Sequence, residues 1–171
     1  MLNQVDTIRV VLLDVDGVLT AGGLGYGTGT DEHKVFHARD GHAIKLAIAA
    51  GLRVGVVSGR DGDAIMRRAR ELGCDPVLLG IGDKVAVVQQ WLDQVGLDWP
   101  QVAFVGDDLP DLSCVKKAGL GVAVADAAHG LARHADHVTR VAGGCGAVAD
   151  LLTDLCRLQG RASQAGATLH G

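Results

Sequence analysis

Residues 8–20 read Ile-Arg-Val-Val-Leu-Leu-Asp-Val-Asp-Gly-Val-Leu-Thr, an aliphatic run that stops at two aspartates and a glycine. A short apolar run with polar ends suits a strand buried on both faces, the kind that parallel sheets contain. The run Ile8–Leu13 is therefore read as the first strand, with Asp14 and Asp16 just past its carboxyl end. Three similar runs follow at Arg53–Val57, Pro76–Leu79 and Val102–Val105, and a fifth at Gly121–Val124. Between them, helical spacing predicts helices over Gly41–Ala50, Asp61–Leu72, Asp83–Val95 and Leu109–Ala118. Ile65, Ala69 and Leu72 form an apolar stripe on the second of these, and Val85, Val88, Leu92 and Val95 on the third. A glycine follows each helix (Gly51, Gly73, Gly96, Gly119), the usual stop signal. Alternation of this kind predicts right-handed crossovers and a doubly wound parallel α/β sheet with helices on both faces.

Composition agrees with that class. The chain has 171 residues, enough for one domain with its own core. Aromatics supply 3% of residues and there are 25 glycines, so a Val, Ala and Leu core is expected. The apolar runs are too short to cross a bilayer and no signal peptide is recognised, which makes a cytoplasmic location the default. Four widely spaced cysteines (Cys74, Cys114, Cys145, Cys156) form no CxxC pair, which argues against structural zinc. The formal charge of −4, without a basic run, gives no sign of nucleic acid. Two stretches break the alternation. Residues 20–36 hold five glycines and read as a loop or a β-hairpin. The polar tail from Arg157 is expected to be mobile unless it docks, so the domain is placed at 1–158 and a flexible tail at 159–171.

Ligands of open α/β sheets bind at the carboxyl ends of the strands. There the chain places Asp14 and Asp16, then Ser58 and Arg60, then Lys84, then Asp107, Asp108 and Asp111. Several carboxylates gathered at one edge repel unless a cation neutralises them, and Mg²⁺ suits oxygen ligands that leave room for phosphate. In extended backbone, positions i and i+2 share a side, so Asp14 and Asp16 can serve one site. One can attack phosphorus while the other handles a proton, with Lys84 and the Ser58 hydroxyl steadying phosphoryl oxygens. Taken singly, strand-end aspartates are more often turn formers or helix caps, above all Asp108 and Asp111, which open a helix. Four strand ends carrying the right chemistry in order outweigh that reading.

Four ordered motifs carry a family resemblance: Asp14-Val15-Asp16-Gly17-Val18, Ser58-Gly59-Arg60, Lys84, and Gly106-Asp107-Asp108-Leu109-Pro110-Asp111. On these the sequence resembles the haloacid dehalogenase superfamily of phosphatases, with a Rossmann-like fold. The resemblance implies Asp14 as the nucleophile that forms an aspartyl-phosphate. Asp16 would be acid to the leaving group and then base to water. It also implies Mg²⁺ held by Asp14, the Asp16 main-chain carbonyl and Asp107, with Asp108 and Asp111 behind these ligands. Neither the interval from Asp14 to Asp40 nor that from Ser58 to Lys84 has room for a cap domain.

Three further runs narrow the resemblance to the octulosonate 8-phosphate phosphatases: residues 35–41 (Val-Phe-His-Ala-Arg-Asp-Gly), 122–127 and 135–144. It then covers about residues 8–158. Members of that subfamily assemble as homotetramers through the glycine-rich hairpin, so that a neighbouring subunit completes each active site. Residues 20–36 would be that flap. Carried over residue by residue, the phosphorylated sugar acid would lie near Asp16, His37, Ala38, Arg39, Asp40, Gly41, Lys45, Arg60, Arg68 and Lys84. For Lys45 and Arg68 the plainer alternative is an exposed helix face. One departure bears on the substrate: Gly143-Gly144-Cys145-Gly146 stands where the subfamily usually has Gly-Gly-Arg-Gly, and a cysteine cannot meet a carboxylate as arginine does. Other readings are a phosphatase for a nonulosonate 9-phosphate or another small phosphosugar, a non-catalytic assembly domain, and a response-regulator receiver. The order of the two leading aspartates disfavours the last.

Overall fold

Residues 10–13 show how the layers are built, since their side chains alternate between two cores. In the computed structural model, which describes residues 5–26 and 32–161, these residues form strand β1 (Val10–Leu13). Val11 and Leu13 point into one apolar core, Val10 and Leu12 into a second on the opposite face. The first core receives helices α1 (Ala38–Ala49), α2 (Asp63–Leu72) and α6 (Ala147–Leu158). The second receives α3 (Lys84–Val95), α4 (Leu112–Lys117) and α5 (His129–Ala132).

The strands β4 (Arg53–Val57), β5 (Val77–Leu78), β6 (Val102–Gly106), β7 (Leu120–Ala123) and β8 (His137–Val138) join β1 in one six-stranded sheet, ordered β5-β4-β1-β6-β7-β8. Every pair in it is parallel; β1 matches Val10 to Arg53 on one side and to Val102 on the other. Connections leave β1 in both directions, so the crevice for a ligand lies beyond its carboxyl end. β2 (Gly25–Tyr26) and β3 (Glu32–His33) pair antiparallel, the hairpin alternative for this stretch; residues 27–31 lie outside the described residues.

The sequence-based boundaries shift in places. α1 starts at Ala38 rather than Gly41, because His37 is extended and Asp40 lies in the favourable acidic first turn. The helix expected from Leu109 opens instead as a 3-10 turn, Leu109–Asp111, capped by the Asp108 carboxylate accepting from Leu109 N at 2.7 Å. Three of these elements were not read from the sequence: α5, only four residues long, β8, only two, and α6, although Val148, Leu151, Leu152 and Leu155 carry a helical stripe. α6 runs on to Leu158. Beyond it the Gln159 amide donates to Val5 O and Ile8 O, and Arg161 donates to Ala50 O; residues 162–171 lie outside the described residues.

Candidate active site

β1 delivers Asp14 to the sheet edge in extended conformation, and the chain then turns sharply at Gly17, whose φ is +88°. Only glycine fits there on two counts. The φ is left-handed, and a Cβ would lie 1.9 Å from Asp107 Oδ2. The loop after β1 and the loop after β6 are thereby pressed together, and carboxylates from two strand ends meet. One oxygen each of Asp14, Asp107 and Asp111 lies within 4.8 Å of the others.

Lys84 enters this cluster from the first turn of α3, which Asp83 caps through Ala86 N at 3.1 Å. Its Nζ donates to Asp14 Oδ1 at 2.6 Å and to Asp111 Oδ1 at 2.7 Å. Asp111 Oδ2 accepts from Asp107 N at 3.2 Å, so both oxygens of Asp111 are engaged by its neighbours. Asp14, Ser58, Lys84 and Asp111 are all buried. Burial first, then the Asp111 charge, pushes the Asp14 carboxyl from 3.8 up to about 7 against the opposing pull of Lys84. Burial, with Asp111 and Asp108 behind it, lifts Asp107 to about 6. Burial works against the Lys84 ammonium, but its two carboxylate partners outweigh it and hold its pKa above the ordinary lysine value. An all-oxygen set whose charges repel in a half-enclosed site suits a hard divalent cation such as Mg²⁺.

Asp16 sits on the other side of Asp14. Its Oδ1 accepts from Lys34 Nζ at 2.5 Å and from Thr20 Oγ1 at 3.4 Å, and Arg60 Nε lies 3.8 Å from its Oδ2. Ser58, at the end of β4, is held by its backbone to Leu78 O, and its Oγ accepts from Arg60 N at 3.1 Å. Asp14, Asp16, Ser58, Arg60, Lys84, Asp107 and Asp111 therefore do stand along one edge, whereas Asp108 is exposed and caps the 3-10 turn.

The other residues singled out by sequence are placed less uniformly. Arg68 on α2 packs over Gly41, pairs with Glu71 at 3.1 Å, and sets its guanidinium 5.9 Å from the Phe36 ring centre. Lys45, Ala38 and Arg39 are exposed on α1. Asp40 is buried and faces α6, where its Oδ1 accepts from Ala149 N at 2.7 Å; burial raises its pKa despite that bond. His37 and Arg39 flank Gly146. The glycine loop 143–146 lies directly against the loop after β1. Gly144 N donates to Val18 O at 2.9 Å, and a Cβ on Gly143 would fall 1.6 Å from Gly17 O. Cys145 is exposed on that loop. Lys34 and Glu32 were missed by sequence reading, because nothing in the spacing of a glycine-rich hairpin marks them.

Comparison with known proteins agrees with this architecture. Residues 80–152 match the model of the haloacid dehalogenase-like hydrolases. The chain is 38% identical over 162 residues to 3-deoxy-D-manno-octulosonate 8-phosphate phosphatase of Escherichia coli K12, covering 95% of this chain and 86% of that one. The Moraxella catarrhalis enzyme of the same name, solved with magnesium, phosphate and the sugar acid, superposes with a TM-score of 0.94 at 29% identity, over 99% of this chain and 97% of that one. A cobalt-bound structure of the Haemophilus influenzae phosphatase gives 0.88 at 37% identity, over 92% of each chain. The chain belongs to the haloacid dehalogenase-like hydrolases and, among them, to the family of 3-deoxy-D-manno-octulosonate 8-phosphate phosphatases.

Proposed function

We propose that this chain is a magnesium-dependent phosphomonoesterase that hydrolyses 3-deoxy-D-manno-octulosonate 8-phosphate through an aspartyl-phosphate on Asp14. The observation that carries the role of Asp14 is its buried pairing with Lys84 beside Asp107 and Asp111. An oxygen of Asp14 attacks phosphorus and the bond from phosphorus to the sugar oxygen breaks. That oxygen takes a proton from Asp16 as it leaves. Water then attacks the aspartyl-phosphate, Asp16 takes a proton from it, and the bond to Asp14 breaks to release inorganic phosphate. Lys84 and the Ser58 hydroxyl hold phosphoryl oxygens in place. Asp14, Asp107 and the Asp16 carbonyl would hold Mg²⁺, which offsets the negative charge gathered between carboxylate and phosphate. Asp111 has both oxygens committed to Lys84 and Asp107, which suits a supporting role rather than direct ligation.

Arg60 stands beside Asp16 at the rim, while Arg68, His37, Arg39 and Lys45 lie on the α1 and α2 side, where they would meet the sugar acid. Asp40 faces α6 instead, which favours a capping role for it. A second substrate reading is a nonulosonate 9-phosphate or another small phosphosugar: the loop against the site offers Cys145, which does not meet a carboxylate as a cation would. Phosphate release across a panel of phosphosugars decides between them. The octulosonate ester should exceed the others in kcat/KM by about tenfold or more. Equal rates on all members would defeat a dedicated enzyme, and a nonulosonate ester in the lead would transfer the assignment.

A homotetramer built on the hairpin completes the proposal. Leu24, Tyr26 and Val35 expose 43%, 73% and 85% of their surface there, more apolar area than a hairpin of two-residue strands retains without a partner. Light scattering should give four times the chain mass at assay concentration, and a fully active monomer would refute the assembly. No helix among the described residues is long and apolar enough to cross a membrane. The four free cysteines suit a reducing compartment, so we place the protein in the cytoplasm.

A further inference from the structure

Lys34 follows β3 at the base of the hairpin, and its side chain is only 2% exposed. Lysine is almost never buried to that degree unless paired, because desolvating an ammonium costs several kcal/mol. Its first partner is Asp16 Oδ1 at 2.5 Å and its second is Glu32 Oε1 at 3.4 Å. Arg60 closes the set from the other side, with Nη2 3.0 Å from Glu32 Oε1 and Nε 3.8 Å from Asp16 Oδ2. Two carboxylates and two cations thus alternate across the junction of hairpin and site.

The two oxygens of Asp16 are treated differently by this arrangement. Oδ1 receives both Lys34 and Thr20, whereas Oδ2 has no hydrogen-bond partner although it is shielded from solvent. A carboxylate pinned through one oxygen has its plane set, and the other oxygen is left to exchange a proton without disturbing the contact that pins it. A free aspartate side chain at a loop would instead sample several rotamers, and misplacement of a proton donor by about 1 Å is costly in rate.

We propose that Lys34 is the positioning residue for Asp16: by holding Oδ1 it presents Oδ2 to the bridging oxygen of the phosphomonoester, and it ties that geometry to a seated hairpin. The proposal rests on the reading of Asp16 as the proton donor to the leaving group. Lys34 forms and breaks no covalent bond and supplies no proton. The proton passes from Asp16 Oδ2 to the sugar oxygen as the bond from phosphorus to that oxygen breaks.

Leaving-group dependence separates positioning from mere anchoring of the hairpin. kcat/KM covers every step up to departure of the leaving group. An alkyl phosphate needs a proton at that step, whereas p-nitrophenolate departs without one. Assayed on the full chain, Lys34→Met and Lys34→Gln should lower kcat/KM for the sugar-acid phosphate by about 100-fold, and for p-nitrophenyl phosphate by less than about threefold. Lys34→Arg, which keeps the reach and the charged donor that Gln and Met lack, should recover most of the difference. An equal fall on both substrates, or no fall, overturns the proposal. Asp16→Asn run in parallel keeps the two readings apart. If it shows no difference between the substrates, the proton-donor reading fails; if it shows the difference and the Lys34 variants do not, only the positioning role fails. A variant whose thermal melt departs from the parent is replaced by the other uncharged one, so the ratio is always read on folded protein.

Discussion

Asp14→Asn should lower phosphate release by about 10⁴-fold or more while leaving the fold intact. Asparagine keeps the shape of the side chain but its amide cannot attack phosphorus to give an acyl phosphate. Stability should hold or rise, for a physical reason visible in the site. The wild-type carboxyl is pushed up to about 7 by burial and by Asp111, so its charged form is a strained occupant. The amide removes that charge, and Lys84 keeps Asp111 as its partner at 2.7 Å. Activity assay and thermal melt on the same sample check both halves. An unchanged rate would overturn the nucleophile assignment, and a collapsed fold would show that Asp14 is a structural partner of Lys84 above all.

Lys84→Met carries the second large expectation, and it runs in the opposite sense for stability. Removing the ammonium leaves Asp14 and Asp111 buried and facing each other, a situation that costs about 3–5 kcal/mol. Turnover should fall by about 10²–10³-fold, the effect expected of the role proposed for Lys84 in holding phosphoryl oxygens. The pH dependence follows from the raised carboxyl. A folded pKa of about 7 against 3.8 unfolded means that the folded state binds the proton more tightly. That contribution to stability is complete below about 3.8 and is lost as pH rises through about 7. Without Lys84 the folded value rises further, because the largest group lowering it is gone. The deficit relative to the parent should therefore be larger at pH 8 than at pH 5, as read by urea denaturation in the presence of a chelator. Equal deficits at the two pH values would show that the loss is one of packing rather than charge.

Much of this site is legible in the sequence, and the reason is local. Asp14, Ser58 and Asp107 each follow an aliphatic run, and a strand's end is set by where the run stops. Parallel order then places all three ends on one edge, so their meeting requires no knowledge of side-chain packing. The same logic yields Lys84, the first residue of a helix that follows a strand by a short loop. α6 carries an equally visible apolar stripe, yet the glycine-rich run 143–146 before it reads as loop and hides where the helix starts.

What local spacing cannot reach are contacts between elements far apart in the chain. Asp40 reads as one of a substrate-binding run, yet its carboxylate reaches Ala149, 109 positions away, because α1 and α6 pack on the same face of the sheet. Lys34 looks like any charged residue of a flexible loop. It becomes a buried partner of Asp16 only when the hairpin folds back over the loop after β1.

The sequence by itself thus determined the layer order, the carboxyl ends of β1 and β4–β7 to within one residue and the residue types gathered there, since each follows from short-range periodicity and the parallel topology it implies. Only the tertiary structure decided which oxygen of Asp16 is held, which way Asp40 faces and how closely residues 143–144 lie against the turn at Gly17. Those depend on how helices and hairpin settle against the sheet, where a rotation of one side chain changes the partner but leaves the pattern of the sequence unaltered.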